Sequence, residues 1–425
     1  MTTDLFQKRS WDLFLSYSHS NVEQVQPMAK WLSETAGLNV WWDQDGLFGG
    51  DRLASGLTRA MEDSRAAVFC VSEDWTNSSW CEDEFNVALQ ERRSDPRFRI
   101  VAMQLDEASV PKFLSNTPVI RAFNFETEAA IAILQGLVSD PAPTVSSRYD
   151  VYLARSWHQD EAHCADSVWR EMSRRRYRAI GDAPNYPNFG SGDRVRRIIE
   201  SCGGLVCVLP YRKRNEANGF TSKWVLKEAQ IAQSCERPVL LFAEEGVQVS
   251  PELVANCVGA RVFPAPTGKD DQNLHEAFDL FDGRYSEPIA PAYSFLTGSF
   301  KTDRDLLLRL KGMIERVTNM PCVLGERVGA QSAAEAIVGR IRKSEFLIAD
   351  VSEGNLNSLI ESGVARGAGI PLHLVSAVPD SGELRTRFMF RDLEVAWYDS
   401  AIEKIGHVHR IARPYRRRVF VSSGT

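Results

Sequence analysis

WDLFLSYS, residues 11–18, is an apolar, β-rich run that opens the alternation of strands and helices on which the fold depends. VEQVQPMAKWLSETAG (22–37) has helical periodicity that ends at Gly37, and LNVWWD (38–43) is a second strand. A glycine-rich turn, DGLFGGD (45–51), leads into the helical LASGLTRAMEDS (53–64). AAVFCVS (66–72) then reads as a third, buried strand and RIVAMQLD (99–106) as a fourth. Strands alternating with helices of this length predict right-handed crossovers and a parallel sheet covered on both faces.

The pattern then recurs. YDVYLARS (149–156) echoes WDLFLSYS, and SGDRVRRIIESCGGLVCVLP (191–210) echoes GGDRLASGLTRAMEDSRAAVFCVS (49–72). SKWVLKEAQIA (222–232) echoes SSWCEDEFNVA (78–88), so Trp80 and Glu84 return as Trp224 and Glu228 at the same spacing. A third, weaker pass runs through AYSFLTGS (292–299), AEAIVGRIRKSEFLIADVS (334–352) and NLNSLIESGVARG (355–367), with Glu361. Three copies agree with a length of 425 residues at about 150 per domain. SDPAPTVSS (139–147) and SEPIAPA (286–292) read as linkers, which divides the chain into units over 1–138, 148–286 and 292–425. The fold class expected is therefore α/β, as three consecutive flavodoxin- or Rossmann-like units, each a parallel sheet flanked by helices.

With 44% hydrophobic and 25% charged residues the composition is that of a globular protein. A formal net charge of -6 argues against a surface that coats nucleic acid. Arg174-Arg175-Arg176 and Arg416-Arg417-Arg418 are read as a solvated helix face and a basic tail, or as local anion sites. No apolar run of about 18 residues and no signal-peptide pattern is found, so a cytoplasmic protein away from membranes is expected. The eight cysteines form no CxxC pair, and Cys70 and Cys207 sit in strand-like runs as reduced core residues. The seven histidines show no ligand spacing, so no metal is expected.

Residues 10–138 resemble a TIR domain: the aspartate-led first strand, VWWDQDGLFGGD where the family has its BB loop, the apolar AAVFCVS, and above all SSWCEDEF. In TIR domains that are enzymes, a glutamate in this last segment cleaves NAD⁺, and the resemblance places that role on Glu84. It implies NAD⁺ contacts for Tyr17, Ser18 and His19 after the first strand, for Asp43, Leu47, Gly50 and Arg52 of the BB loop, and for Trp80. Ser18-His19 departs from members that carry basic residues there, which bears on how phosphates are held. The chemistry stands on its own reasons. Cleaving an N-ribosyl bond passes through an oxocarbenium-like state that an adjacent carboxylate stabilises, and Trp80, four residues before Glu84 on one helix, shares its face.

The second unit resembles a divergent TIR-like fold that keeps Trp224 and Glu228. Its remodelled loop, DAPNYPNFGSGD (182–193), and the cations Arg212, Lys213 and Arg214 leave open a second active site, a pocket for a nucleotide-like signal, or a degenerate copy. The third resembles the nucleoside deoxyribosyltransferase-like superfamily through IADVSEGNLNSLIESGVARG (348–367). That resemblance gives Asp350 and Glu361 ribosyl-handling roles, while Asn355 stands where some members have an aspartate. The function expected is an NAD⁺ glycohydrolase or ADP-ribosyl cyclase in a defence setting. NAD⁺ is then a substrate and not a cofactor, the C-terminal units sense a nucleotide-like activator, and TIR units associate into a homo-oligomer. The alternative is a non-enzymatic TIR scaffold acting by self-assembly.

Overall fold

A computed structural model describes residues 9–42, 52–95, 98–114, 117, 119–138, 149–156, 161–181, 192–266, 272–285, 293–299, 304–325, 333–352, 355–379, 390 and 392–419. The first sheet contains β1 (Leu13–Ser16), β2 (Val40–Trp41), β3 (Ala66–Val71), β4 (Arg99–Gln104) and β5 (Val119–Arg121). Its helices are α1 (Val22–Lys30), α2 (Arg52–Glu62), α3 (Glu73–Thr76), α4 (Ser79–Ser94) and α5 (Thr127–Gly136). α1 runs on into a π-helical turn, Trp31–Thr35. Every residue of β1 and β3 is buried, as the uninterrupted apolar runs require of strands covered on both faces.

The second set comprises β6 (Tyr149–Ala154), β7 (Tyr177–Gly181), β8 (Leu205–Leu209), β9 (Val239–Ala243) and β10 (Phe263–Pro264). With it come α6 (Ala162–Arg174), α7 (Gly192–Glu200), α8 (Lys223–Ser234), α9 (Pro251–Ala255) and α10 (Gln272–Asp282). The side-chain alternation of a strand divides this core in two: Val151 and Leu153 face one cluster, Tyr152 and Ala154 the other. The third set comprises β11 (Ser294–Thr297), β12 (Cys322–Leu324), β13 (Phe346–Asp350), β14 (Leu372–Ala377) and β15 (Val395–Tyr398), with α11 (Arg304–Thr318), α12 (Ala333–Lys343), α13 (Leu356–Gly367) and α14 (Ala401–Ala412).

All three sheets have the same order, second strand, first, third, fourth, fifth, with parallel pairing throughout. The register repeats as well: Ser16 lies opposite Phe69, Ala154 opposite Cys207 and Thr297 opposite Ala349. This is the doubly wound order whose switch point lies between the first and third strands. The three Rossmann-like units expected from the repeats are thus present. One strand breaks the pattern. Arg418–Val419, here β16, lies in the stretch assigned by sequence to the third unit, yet it pairs antiparallel with β7.

The chain forms two compact units: residues 1–140 with 293–415, and residues 141–292 with 416–425. In the former, α14 joins the first and third sheets. Its Gly406 lets the helix come so near the π-helical turn that a Cβ there would meet Thr35 Cγ2 at 2.7 Å and Trp31 Nε1 at 3.0 Å. Trp31 Nε1 donates to Ile402 O (3.0 Å) and His409 Nδ1 to Ala36 O (2.8 Å). Just past α14, Arg413 donates to Gly37 O and to Asp12 Oδ1, both at 2.6 Å.

Candidate active site

At the carboxyl end of β1 the apolar strand finishes in Ser16, a hydroxyl that is 3% exposed and must find partners inside the protein. Two converge on it. Trp75 Nε1 donates to Ser16 Oγ at 3.0 Å, and Ser16 Oγ donates to Glu84 Oε2 through a short hydrogen bond. Trp75 is itself fixed: its ring packs edge-on to Phe69 (5.9 Å between centroids), and its backbone N–H donates to Ser72 Oγ at 3.0 Å, capping α3. Ser72 Oγ donates onward to Asn21 Oδ1 (2.6 Å), tying the loop after β3 to the turn after β1. These are the loops that flank the switch point.

Glu84 is half-buried on α4, and loss of water pushes its carboxyl from an ordinary 4.5 up to about 7, with the Ser16 hydroxyl pulling the other way. A carboxyl poised there changes protonation near neutral pH, as a group that meets developing positive charge can use.

Of the residues named from sequence, Tyr17 and Ser18 come directly after β1 and are half-buried, and His19 is exposed in the next turn. Tyr17 lies 6.0 Å from the ring of His19 and 6.3 Å from that of Trp42, so an aromatic group borders the end of β1. Arg52 opens α2, and Trp80 lies one turn before Glu84 on α4; their side chains lie outside the described residues, as do Asp43, Leu47 and Gly50 altogether. Sequence reasoning missed Ser16, Trp75 and Trp42. A polar residue closing a wholly apolar strand was the available signal for Ser16.

In the second unit Glu228 occupies the same place and is buried, with Tyr152 OH donating to Oε1 at 2.6 Å. Trp224 is half-buried, with Lys227 Nζ 5.1 Å from its ring. Arg212 is not free for a ligand phosphate: it makes a bidentate pair with Glu161 (2.8 and 2.7 Å) and bonds Ser156 Oγ (3.0 Å). The two arginine clusters need correcting in part as well. Arg174 and Arg175 both grip Glu171, and Arg417 is buried against Ser201.

In the third unit Asp350 has no oxygen to offer a ribosyl group. Oδ2 takes Lys404 Nζ (2.6 Å) and Tyr398 OH (2.7 Å), while Oδ1 takes the Ser352 hydroxyl (2.5 Å) and amide (3.1 Å). The Lys404 ammonium and these donors hold its carboxyl below the ordinary range despite burial. Both carboxylate oxygens of Asp350 are thus engaged by groups of the fold. Asn355 caps α13 by accepting from Ser358 N (3.3 Å) and donates to Asp350 O (3.1 Å), which is work for an amide and not for a carboxylate. Glu361 differs. It is 6% exposed, burial pushes its carboxyl up to about 7 against the Thr297 hydroxyl, and among the described residues its Oε2 has no partner.

The comparisons with known proteins bear on the first of these sites. The family model described as "TIR domain" matches residues 13–135. Residues 13–135 form a TIR domain. Over 117 residues, 28% of this chain, the sequence is 26% identical to a protein named probable 2' cyclic ADP-D-ribose synthase TcpO, from Methanobrevibacter olleyae. The chain spans about a third of that relative's length, 34%. Among solved structures, the TIR domain of the Toll-related receptor TRR-2 from Hydra magnipapillata is 18% identical, with a TM-score of 0.24, over 27% of this chain and 86% of that one. Among the described residues, no helix is long and apolar enough to cross a membrane.

Proposed function

We propose that the TIR domain of this chain cleaves NAD⁺ at its nicotinamide N-ribosyl bond, with Glu84 as the catalytic carboxylate. The observation that carries the reading is the withdrawn carboxyl of Glu84, held by Ser16 at the switch point of a doubly wound sheet and raised to about 7. When the C1'–N bond breaks, its electron pair leaves with nicotinamide and the ribose carbon becomes cationic. An ionised Glu84 in a site of low dielectric stabilises that cation. Water attacking the cation gives ADP-ribose and a proton; a hydroxyl of the same molecule gives a cyclic ADP-ribose and a proton. The name of the relative TcpO supports the cyclic outcome.

The remaining expectations join this proposal: self-association of TIR domains, a defence setting, and a nucleotide-like activator for the C-terminal units. Glu361, buried with an unoccupied oxygen, is the residue of those units best placed to meet a ligand. The test is to incubate the full chain with NAD⁺ and separate nicotinamide, ADP-ribose and cyclic products, beside Glu84→Gln. We expect turnover to fall at least about 100-fold in the variant, as for loss of a key electrostatic group. A folded, fully active Glu84→Gln protein overturns the reading.

A further inference from the structure

We infer that Trp75 and Ser16 form a one-way donor relay that positions Glu84, fixing which carboxylate oxygen faces the substrate. The inference rests on the reading of Glu84 as catalytic. An indole N–H can only donate. Because Trp75 Nε1 lies 3.0 Å from Ser16 Oγ, it occupies that oxygen as an acceptor, and the single hydroxyl proton of Ser16 is left to point elsewhere. It points at Glu84 Oε2. With Glu84 ionised, its catalytic form, Oε2 can only accept that proton, and Oε1 is left to face the substrate. That assigns Oε1 to the reacting ribose and Oε2 to the scaffold. Ser16 is 3% and Trp75 1% exposed, so water does not compete for either bond.

The other two units act as internal controls. Thr297 occupies the place of Ser16 in the third strand register, but its hydroxyl is shared with Ser358 Oγ at 2.9 Å, a partner that can donate or accept. That hydroxyl also bonds the Glu361 carboxyl, so what is missing in the third unit is a donor-only indole behind it, and Glu361 Oε2 is left without a partner among the described residues. In the second unit the equivalent residue is Ala154, and Tyr152, two residues back on the same strand face, reaches Glu228 with its phenol instead. An indole that donates into the hydroxyl is thus what sets the first unit's arrangement apart.

Ser16 and Trp75 are positioning residues, and the test must separate that role from simple packing. In the full chain we expect Ser16→Ala to lower kcat roughly tenfold with KM within about twofold, the scale of a misplaced reacting group. Ser16→Thr, which keeps the hydroxyl, should return most of kcat. A second measurement needs no turnover: the Trp75 indole ¹⁵N–¹H resonance, assigned with Trp75→Phe. Glu84→Gln should shift it when Ser16 is present and leave it unmoved in the Ser16→Ala background, as a coupling cycle requires. An unchanged kcat in folded Ser16→Ala, a loss that Ser16→Thr does not restore, or an indole that ignores Glu84→Gln each overturns the relay. A relay seen in the resonance together with absent NAD⁺ turnover overturns the catalytic reading alone.

Discussion

A carboxyl group drawn out of water holds its proton longer, and at Glu84 this has two consequences of opposite sign. The catalytic form is the ionised one, so kcat/KM should rise with pH through an apparent value near 7. Stability should run the other way. The folded-state pKa lies above the ordinary 4.5, so the contribution of Glu84 is fully present below about 4.5 and is lost as pH rises through about 7. Glu84→Gln should therefore stabilise the chain at pH 8 by an amount on the order of 1–2 kcal/mol and change it little at pH 5. Thermal denaturation at both pH values measures this, and a gain equal at both counts against it. Glu84 was singled out through the resemblance of SSWCEDEF to the TIR family, and its spacing from Trp80 recurs at Trp224 and Glu228. Ser16 carried only the weak signal of a polar residue closing an apolar strand, and its partner Trp75 comes from 59 residues away. The sequence also suggested a reactive role for Asp350, and nothing in it revealed that Lys404 would neutralise that carboxylate from a helix 54 residues on.

At the scale of elements, α14 is the piece on which the first compact unit turns. Glycine inside a helix ordinarily costs about 1 kcal/mol relative to alanine. Gly406→Ala should nevertheless destabilise the protein, because the new methyl lands 2.7 Å from Thr35 Cγ2 and 3.0 Å from Trp31 Nε1. A raised melting temperature for this variant would show that the helix and the π-helical turn are not pressed together. On its other side α14 supplies Lys404, and Lys404→Met should cost about 3–5 kcal/mol by leaving Asp350 charged, buried and unpaired. Adding Asp350→Asn should recover part of that loss, measurable by denaturant midpoint. Most of the strands could be read from apolar runs, because strands buried on both faces must be apolar throughout, while the half-exposed Val119–Arg121 and the order of strands in the sheet could not. The role of α14 could not. Its decisive glycine, and the arginine just past its end, have partners about 370 to 400 positions away.

At the scale of the molecule, three repeats announced three sheets, since each copy carries its own hydrophobic code, but repetition says nothing about which copies share a compact unit. The first and third do, through contacts such as Arg413 with Asp12. A fragment of residues 1–138 should therefore melt below the full chain, as Trp31, Ala36 and Gly37 lose the groups that cover them. Calorimetry of the fragment beside the full chain decides it, with an equal melting temperature as the contrary result. The short strand β16 carries this further. Because Arg418–Val419 completes the sheet begun at Tyr149, the third unit is an insertion within the second as the chain runs. Synthesis proceeds from the N-terminus at about 5–20 residues per second. Neither compact unit can close its final contacts until residues 401–419 have left the ribosome, so the TIR domain, though made early, waits about 15–60 seconds for a helix made long after it. A chain stopped before residue 401 would leave both units open at once, and both are sealed together only after residues 401–419 have emerged.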